Sequence, residues 1–305
     1  NWRGRAFACM IASVQRLKSP NTPARIYAHT TSDGLNIGCI VTDDGVISVD
    51  LPLTFAEALA WRAEISQVTD KPLRGALFTS SHRVFGDALR ALSHKPGTAI
   101  LPALAHESGF NMLFAQLEQQ FQNRQGEPLS AAQLRERGVL PELTFSDSAT
   151  FSLGGKDAVQ FDVTRVGGFL PGSALVSVRG SDVVFAGDLV SRSTPPPIIG
   201  ASNIDEWVET LAALKKSKVF KTLVPGIGPV GDLSAAAETA EYIKAAQIAV
   251  RKVHRANRSR DVLSVVLGDV LARYPAANRG LSAQQRALRG LEALFDAQPV
   301  VPLEA

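Results

Sequence analysis

The sequence predicts an α/β protein of four layers, an αββα sandwich in which two mixed β-sheets pack together and helices cover their outer faces. Two groups of short hairpin strands indicate the two sheets, because turns rich in Asp and Gly separate apolar runs of strand length. Helical patterns follow each group and predict the outer layers. A long helical pattern towards the carboxyl end predicts a C-terminal helical extension packed on the sandwich.

The first group of strands begins near residue 25. Alternating or apolar runs predict strands over 25–30, 36–41, 46–50 and 75–78. Asp33-Gly34 and Asp43-Asp44-Gly45 supply turns between the first three. A helix is predicted over 55–69, because Thr54 can cap its first turn and Glu57 occupies the capping-box position. This part of the chain therefore predicts one sheet with a helix lying on it.

The second group of strands follows a helical and polar stretch. A strand over 98–102, a helix over 106–121 and a polar surface insertion over 123–137 are predicted before it. A strand is predicted over 144–145, and further strands are predicted over 149–153, 158–163, 174–178, 182–185 and 222–224. Gly154-Gly155 provides hairpin-turn chemistry between two of them, and a helix over 205–214 precedes the last.

The two ends of the chain are predicted to lie outside the sandwich domain, which covers residues 25–232. Residues 1–24 form an N-terminal segment, and residues 233–305 form the extension, with helices over 234–256, 261–273 and 282–296. Basic and apolar side chains are interspersed over 1–18, which predicts an amphipathic surface helix; a membrane-surface segment is the alternative. The extension is the candidate contact surface of a homo-oligomer.

Composition excludes several classes of function. The net charge is +3 and aromatic and basic residues are not interleaved, so nucleic acid is not an expected partner. No apolar run is long enough to span a bilayer. Cys9 and Cys39 are isolated and give no zinc or redox motif, and such cysteine usage fits a reducing compartment. The cytoplasm is the expected location, with an upstream signal segment left open.

The stretch from Phe78 to Gly86 is the candidate functional site. A buried strand ends at Phe78, a polar loop containing His82 follows, and a helical pattern begins at Asp87. Loops at the carboxyl ends of strands commonly form ligand sites in α/β proteins. We therefore expect a pocket around this loop.

Four motifs occur in order along the predicted domain. They are a hairpin from Asn36 to Asp50, Asp70-Lys71-Pro72 before the strand ending at Thr79, Phe185-Ala186-Gly187-Asp188, and Val224-Pro225-Gly226-Ile227-Gly228-Pro229. Their order resembles the metallo-β-lactamase superfamily over about residues 25–255. In that family the corresponding segments are the opening hairpin that ends in Asp, the lead-in to a His-x-His-x-Asp-His loop, the strand and loop carrying the bridging aspartate, and a loop reading Pro-Gly-His-Gly.

Most of the zinc ligands that this resemblance implies are replaced. The replaced positions are Ser80, Val84, Phe85, Phe169 and Ile227. Val84 stands where the family has the Asp of the first loop, and the other four stand where it has His. Only His82 and Asp188 remain at ligand positions.

Two remaining ligands predict a degenerate metal site. Catalytic zinc usually has three protein ligands and one open position, and apolar side chains at the former ligand positions disfavour a bare cation. We therefore expect no cofactor, and a protein that binds a small molecule or acts as a scaffold. The alternative is a hydrolase of a small ester, lactone or amide. It would use His82 and Asp188 with a single zinc or other divalent metal, or as a metal-free acid–base pair.

Several of these residues also have structural interpretations. His82 is either a ligand or general base beside Asp188, or a buried histidine that hydrogen-bonds to that carboxylate. Asp50, Ser80 and Ser81 are predicted to line or support the pocket. A Ser-His-Asp triad is less favoured, since the chain has no G-x-S-x-G elbow.

Two features outside the pocket are predicted to be structural. His106-Glu107 is expected to cap a helix. The basic run from Arg251 to Arg260 predicts a solvated face, and an acidic partner or a phosphate is the alternative.

Overall fold

The computed structural model describes residues 14–93, 101–122, 125–200, 202–272 and 281–297. Within these ranges, twelve strands form two sheets and eight α-helices flank them. None of the helices in these ranges has both the length and the apolar character needed to cross a lipid bilayer.

The first sheet has seven strands in sequence order. They are β1 (Gln15–Leu17), β2 (Arg25–Thr30), β3 (Asn36–Val41), β4 (Val46–Val49), β5 (Leu73–Leu77), β6 (Ala103–His106) and β7 (Leu143–Phe145). Neighbours from β1 to β4 are antiparallel, and neighbours from β4 to β7 are parallel. The parallel half brings the carboxyl ends of β4 and β5 to one edge, where Asp50 and Thr79 follow their strands.

The second sheet has five strands in the order β12-β11-β10-β9-β8. They are β8 (Ser148–Leu153), β9 (Val159–Arg165), β10 (Ala174–Val178), β11 (Val183–Ser191) and β12 (Thr222–Ile227). The strands from β8 to β11 are antiparallel, whereas β11 and β12 are parallel. An isolated bridge between Leu35 and Ile227 connects this sheet to the loop before β3.

The core between the sheets is built from alternate residues of their inner faces. Along β9, Val159, Phe161 and Val163 are buried while their neighbours are more exposed. They pack in one cluster with apolar side chains of the first sheet, including Ile26 and Ile40. Burial of apolar surface is worth about 25 cal/mol per Å², so this layer supplies a large share of the fold's stability.

Helices cover the outer face of each sheet. Those on the first sheet are α1 (Phe55–Val68), α2 (Gly86–Ser93), α3 (Glu107–Gln120) and α4 (Ala131–Glu136). Those on the second are α5 (Ile204–Lys215), α6 (Ser234–Arg255), α7 (Leu263–Ala272) and α8 (Leu281–Asp296). Each layer is anchored by a fully buried tryptophan. Trp61 donates to Ser48 Oγ at 3.0 Å, and Trp207 donates to the carbonyl of Leu189 at 2.9 Å.

The predicted four-layer αββα sandwich of two mixed sheets is confirmed. The predicted cap of α1 also forms, since Thr54 accepts a hydrogen bond from the Glu57 backbone at 3.2 Å. The C-terminal helices α6 to α8 share one hydrophobic cluster with α5 and β11. The division of the chain at residues 24 and 232 stays a prediction.

Two local predictions need correction, and the polar insertion is found to contain a helix. The strand placed over 98–102 is β6 at Ala103–His106, which pairs between β5 and β7; residues 98–100 lie outside the described ranges. The helix placed over 1–18 falls on residues outside those ranges up to 13, and residues 15–17 are a strand. In the polar insertion, residues 123 and 124 lie outside the described ranges, and Ser130 forms a capping box that starts α4.

The strands β11 and β12 are longer than predicted. They continue past Asp188 and through Pro225, which the sequence placed in loops. Proline is tolerated in β12 because this strand lies at the edge of the sheet, where a missing N–H removes no necessary ladder bond. Because β11 continues past its predicted end, Asp188 lies on a strand beside the loop that follows β5.

Candidate functional site

Asp50 anchors the loop that follows β5. Its carboxylate accepts hydrogen bonds from the Thr79 backbone N–H at 2.9 Å and the Thr79 hydroxyl at 2.6 Å. The Asp50 backbone has a φ of 56°, in the left-handed region that non-glycine residues rarely adopt. Asp50 therefore connects the end of β4 to the start of the loop that follows β5.

The conformation of this loop directs the Arg83 side chain into the protein interior. Ser80 caps a single 3₁₀ turn over Ser81–Arg83 by accepting a hydrogen bond from the His82 backbone at 3.2 Å. In this turn His82 is exposed, whereas only 1% of the Arg83 surface is accessible. Adjacent residues of a 3₁₀ turn point in different directions, so Arg83 can be buried while His82 faces outward.

Arg83 forms a buried ion pair with Asp188 on β11. Its Nε lies 3.0 Å from Oδ1 and 3.1 Å from Oδ2, and its Nη2 lies 2.5 Å from Oδ1. Both side chains are almost fully buried. Charge-assisted bonds with a planar guanidinium are among the strongest in proteins, so this geometry holds both groups in one position.

The remaining donors of Arg83 reach two backbone carbonyls. Nη1 donates to Asn36 O at 3.2 Å, and Nη2 donates to Gly226 O at 3.0 Å. The Asn36 side chain in turn donates to the carbonyls of Pro225 and Gly228 at 2.9 and 2.6 Å. One guanidinium thus connects β3, the loop after β5, β11 and β12.

The electrostatics of this cluster follow from burial and from the ion pair. Burial alone would raise the pKa of Asp188, but the Arg83 guanidinium beside it lowers that pKa below its ordinary value. Burial alone would lower the pKa of Arg83, but the carboxylates of Asp188 and Asp50 outweigh this effect and raise that pKa above its ordinary value. Burial dominates at Asp50, where the pKa rises to about 6 although Arg83 and Thr79 oppose the shift. Arg83 and Asp188 are therefore both charged at neutral pH.

The sequence predicted that His82 would pair with Asp188, whereas Arg83 is the residue that binds this carboxylate. The carboxylate directs its oxygens to Arg83, and no hydrogen bond joins His82 to Asp188 among the described residues. The His82 ring is exposed rather than buried, and it meets the edge of Phe169 with 6.0 Å between ring centroids. The buried-histidine interpretation is thus corrected, because the turn directs Arg83 inward instead.

The two serines have structural partners. The Ser81 hydroxyl donates to the carbonyl of Pro171 at 2.5 Å, and Ser80, besides capping the turn, contributes a hydrogen bond that helps to lower the pKa of Asp188. Both are buried. No Ser-His-Asp geometry arises from these contacts among the described residues.

A cavity of about 460 Å³ lies in front of the ion pair. Of the residues singled out in the sequence, it is lined by His82, Phe85, Phe169, Asp188 and Ile227. Val84 instead packs in the cluster under α2 and α3 and lines a second cavity of about 230 Å³ with Phe85. Asp50, Ser80 and Ser81 lie behind the first cavity and do not line it.

The far wall of this cavity was not foreseen from the sequence. Helix α8 contributes Ser282, Gln285, Arg286 and Arg289, which lie on one face because they are three or four residues apart. Burial lowers the pKa of Arg286 below its ordinary value, and Asp188 partly offsets this effect. The spacing of the two arginines was the available signal, but periodicity does not say which part of the domain a helix faces.

Arg83 was also missed, although it lies within the loop that the sequence singled out. The resemblance assigns it to a variable position between the residues His82 and Val84. The available signal was that Arg83 is the only arginine or lysine in the sequence from Phe78 to Gly86.

The residues present do not fit a zinc site. No group of three or more His, Cys, Asp or Glu side chains that could hold a metal ion occurs in the part of the chain that the structure describes. Asp188, the acidic residue that the sequence resemblance assigns to a ligand position, already has its oxygens bound by a guanidinium. A metal ion bound there would have to displace Arg83 and leave a buried cation without its partner.

Comparison with solved structures identifies the architecture. The DIM-1 metallo-β-lactamase matches 77% of this chain and 98% of its own with 16% identity and a TM-score of 0.55. A metallo-β-lactamase from Pontibacter korlensis matches 76% of this chain and 99% of its own with 19% identity and a TM-score of 0.52. At such identities the likeness concerns the fold alone. No family model and no curated protein sequence gives a significant match.

Proposed function

Because the chain has the metallo-β-lactamase fold and buries a guanidinium at the bridging-aspartate position, we propose that it is a small-molecule-binding protein without a metal centre. The observation that carries this proposal is the contact of Arg83 with Asp188, Asn36 and Gly226. The guanidinium supplies the positive charge that a metal ion would otherwise bring to this carboxylate.

A guanidinium can replace the charge of a metal ion but not its coordination chemistry. A guanidinium is permanently charged near neutral pH and presents five donors in a fixed plane, so it neutralises a buried carboxylate as a cation would. Unlike zinc, it has no open coordination position and cannot lower the pKa of a bound water. The arrangement therefore favours binding over metal-assisted hydrolysis.

The cavity beside the ion pair supports a binding role. Its volume of about 460 Å³ lies within the range of pockets that hold small organic molecules. Phe85, Phe169 and Ile227, which stand at former ligand positions, give it apolar walls. Scaffolding, the other role expected from the sequence, makes no use of this cavity.

A metal-free hydrolase is the second candidate function. It is favoured by one observation, the exposed imidazole of His82 on the cavity wall. A histidine there can act as a general base towards a water molecule. Asp188 interacts with His82 through its charge, while its carboxylate accepts hydrogen bonds from Arg83 and Ser80.

The metal content of the purified protein tests the proposal. After dialysis against zinc, manganese or iron(II) and removal of excess ion, elemental analysis should find far less than one metal per chain. The Arg83→Ala variant, with Arg179→Ala as an exposed ion-pair control, tests whether the guanidinium excludes the metal. Near-stoichiometric, tightly held metal in the wild type together with hydrolysis of esters, thioesters or lactones would overturn the proposal.

A test of the second candidate uses the same substrates without added metal. Turnover that disappears in His82→Ala and persists with a chelator present would replace binding by hydrolysis. Equal background rates for the wild type and His82→Ala would exclude the hydrolase.

A further inference from the structure

The guanidinium of Arg286 has an unusual position on α8. It lines the cavity, and its Nη1 is buried without a hydrogen-bond partner in the described part of the chain. Buried polar hydrogens are nearly always paired, and leaving a charged donor unpaired is costly. An acceptor supplied from within the cavity would remove this cost.

No acidic side chain in the described part of the chain fills that role. Asp188 is the only carboxylate among the described residues that line the cavity, and it is bound to Arg83. The Arg83–Asp188 pair is neutral as a unit. The other charged groups that face the cavity are Arg286 and Arg289, with His82 as a titratable neighbour. The cavity therefore has an excess of positive charge and favours an anion.

The remaining walls are apolar. They include Leu35, Leu53, Phe85, Phe169, Ile198 and Ile227. A ligand that is charged throughout would have to lose its hydration against these side chains, which is unfavourable. A ligand with one anionic end and an apolar body satisfies both parts of the cavity.

From these observations, and resting on the proposed binding function, we propose that the cavity binds a small organic carboxylate with an apolar body, its carboxylate paired with Arg286. The planar guanidinium matches a planar carboxylate in a two-point contact. A phosphate monoester carries close to two charges at neutral pH and presents three acceptor oxygens in a tetrahedral arrangement, which matches the planar fork of Arg286 less well than a carboxylate does. The apolar body then lies against Phe85, Phe169 and Ile227.

Isothermal titration calorimetry of the full chain tests this inference, with octanoate and 4-phenylbutanoate as probes. One carboxylate should bind per chain, and octan-1-ol and octylamine should bind at least tenfold more weakly. Arg286→Ala should weaken octanoate binding tenfold or more, as expected for the loss of a charge-assisted hydrogen bond. Arg286→Lys should retain part of the affinity, because it keeps the charge and loses the planar fork.

A matched control is Arg90→Ala, which removes an exposed arginine paired with Asp87 on α2 and should leave octanoate binding unchanged. Equal affinity of octanoate for the wild type and Arg286→Ala would overturn the inference. So would octan-1-ol binding as well as octanoate, octyl phosphate binding more tightly than octanoate, or no binding of either carboxylate at millimolar concentration.

The two proposals fail in different ways. A protein that holds metal and hydrolyses esters contradicts the proposed function, whatever it does with octanoate. A metal-free protein that binds octan-1-ol as well as octanoate keeps the binding function and contradicts only the carboxylate inference.

Discussion

Arg83 and Asp188 form a buried ion pair in which two guanidinium nitrogens lie 2.5 to 3.1 Å from the carboxylate oxygens. The pair joins the loop after β5 to β11, and therefore joins the two sheets beside the cavity. Asp188 is the residue that the sequence resemblance assigns to a bridging aspartate. The energetic consequences of the ion pair are directly measurable.

Removal of the cation should be severely destabilising. Arg83→Ala leaves Asp188 buried and unpaired, and breaking a buried pair in this way typically costs about 3–5 kcal/mol. Urea denaturation measures the change in the free energy of unfolding. Arg179→Ala, which breaks an exposed pair with Asp162, should cost at most about 1 kcal/mol. Similar costs for the two variants would contradict the buried ion pair.

Removal of both charges together should cost less than the removal of one. In Arg83→Met/Asp188→Leu neither partner is left as an isolated buried ion, and apolar replacements of such pairs are often neutral or better. A double-mutant cycle by urea denaturation gives the coupling energy. If the double variant is as unstable as the sum of the single variants, the two side chains do not interact as described.

Asp50 should make stability depend on pH. Its pKa is raised from 3.8 to about 6, so the folded protein binds this proton more tightly than the unfolded chain does. The resulting stabilisation is complete below about pH 4 and is lost as the pH rises through about 6. At about 1.4 kcal/mol per pKa unit, the free energy of unfolding should fall by up to about 3 kcal/mol over this interval.

Asp50→Asn isolates this effect, because Asn tolerates the left-handed backbone conformation that Asp50 adopts. The variant should lack the loss of stability between about pH 4 and pH 6 that the wild type shows. Asp87→Asn, at an exposed position on α2, should keep the wild-type profile. Parallel profiles for the wild type and Asp50→Asn would show that Asp50 does not titrate in this range.

Gly226 should be required for the position of the guanidinium. A Cβ at this residue would lie 2.6 Å from the backbone of Gly187 and 2.8 Å from Arg83 Nη2. Overpacking of this kind typically costs about 1–3 kcal/mol, so Gly226→Ala should lower the free energy of unfolding by that amount. Gly155→Ala is the control, since nothing lies within 4 Å of its Cβ. Wild-type stability in Gly226→Ala would contradict the close approach.

His82→Ala should leave stability nearly unchanged. The ring is exposed, and exposed substitutions usually change the free energy of unfolding by less than about 0.5 kcal/mol. The same denaturation experiment measures it. A loss of several kcal/mol would instead support a structural role for His82.

The elements of the fold could be predicted to a large extent from sequence. Turn residues such as Asp43-Asp44-Gly45 separate apolar runs, and Thr54 with Glu57 specifies the start of α1, because these signals act within a few residues. β6 was misplaced because an apolar run does not show which residues pair with neighbouring strands. Pairing depends on residues distant in the chain.

The candidate site, like the fold, could be predicted only in part from the sequence. The sequence by itself determined that the loop around His82 follows a buried strand. It also predicted, through the resemblance, that Val, Phe, Ile and Ser occupy most ligand positions of the resembled family. Only the tertiary structure decided that Arg83 rather than His82 meets Asp188, and that Arg286 of α8 closes the cavity. The direction of a side chain in a short turn, and the place where a distant helix packs, are set by contacts between residues far apart in the chain, such as Arg83 and Asp188, which are 105 positions apart. Local patterns carry no record of those contacts, because the free energy that selects them comes from burial and charge pairing in the assembled protein.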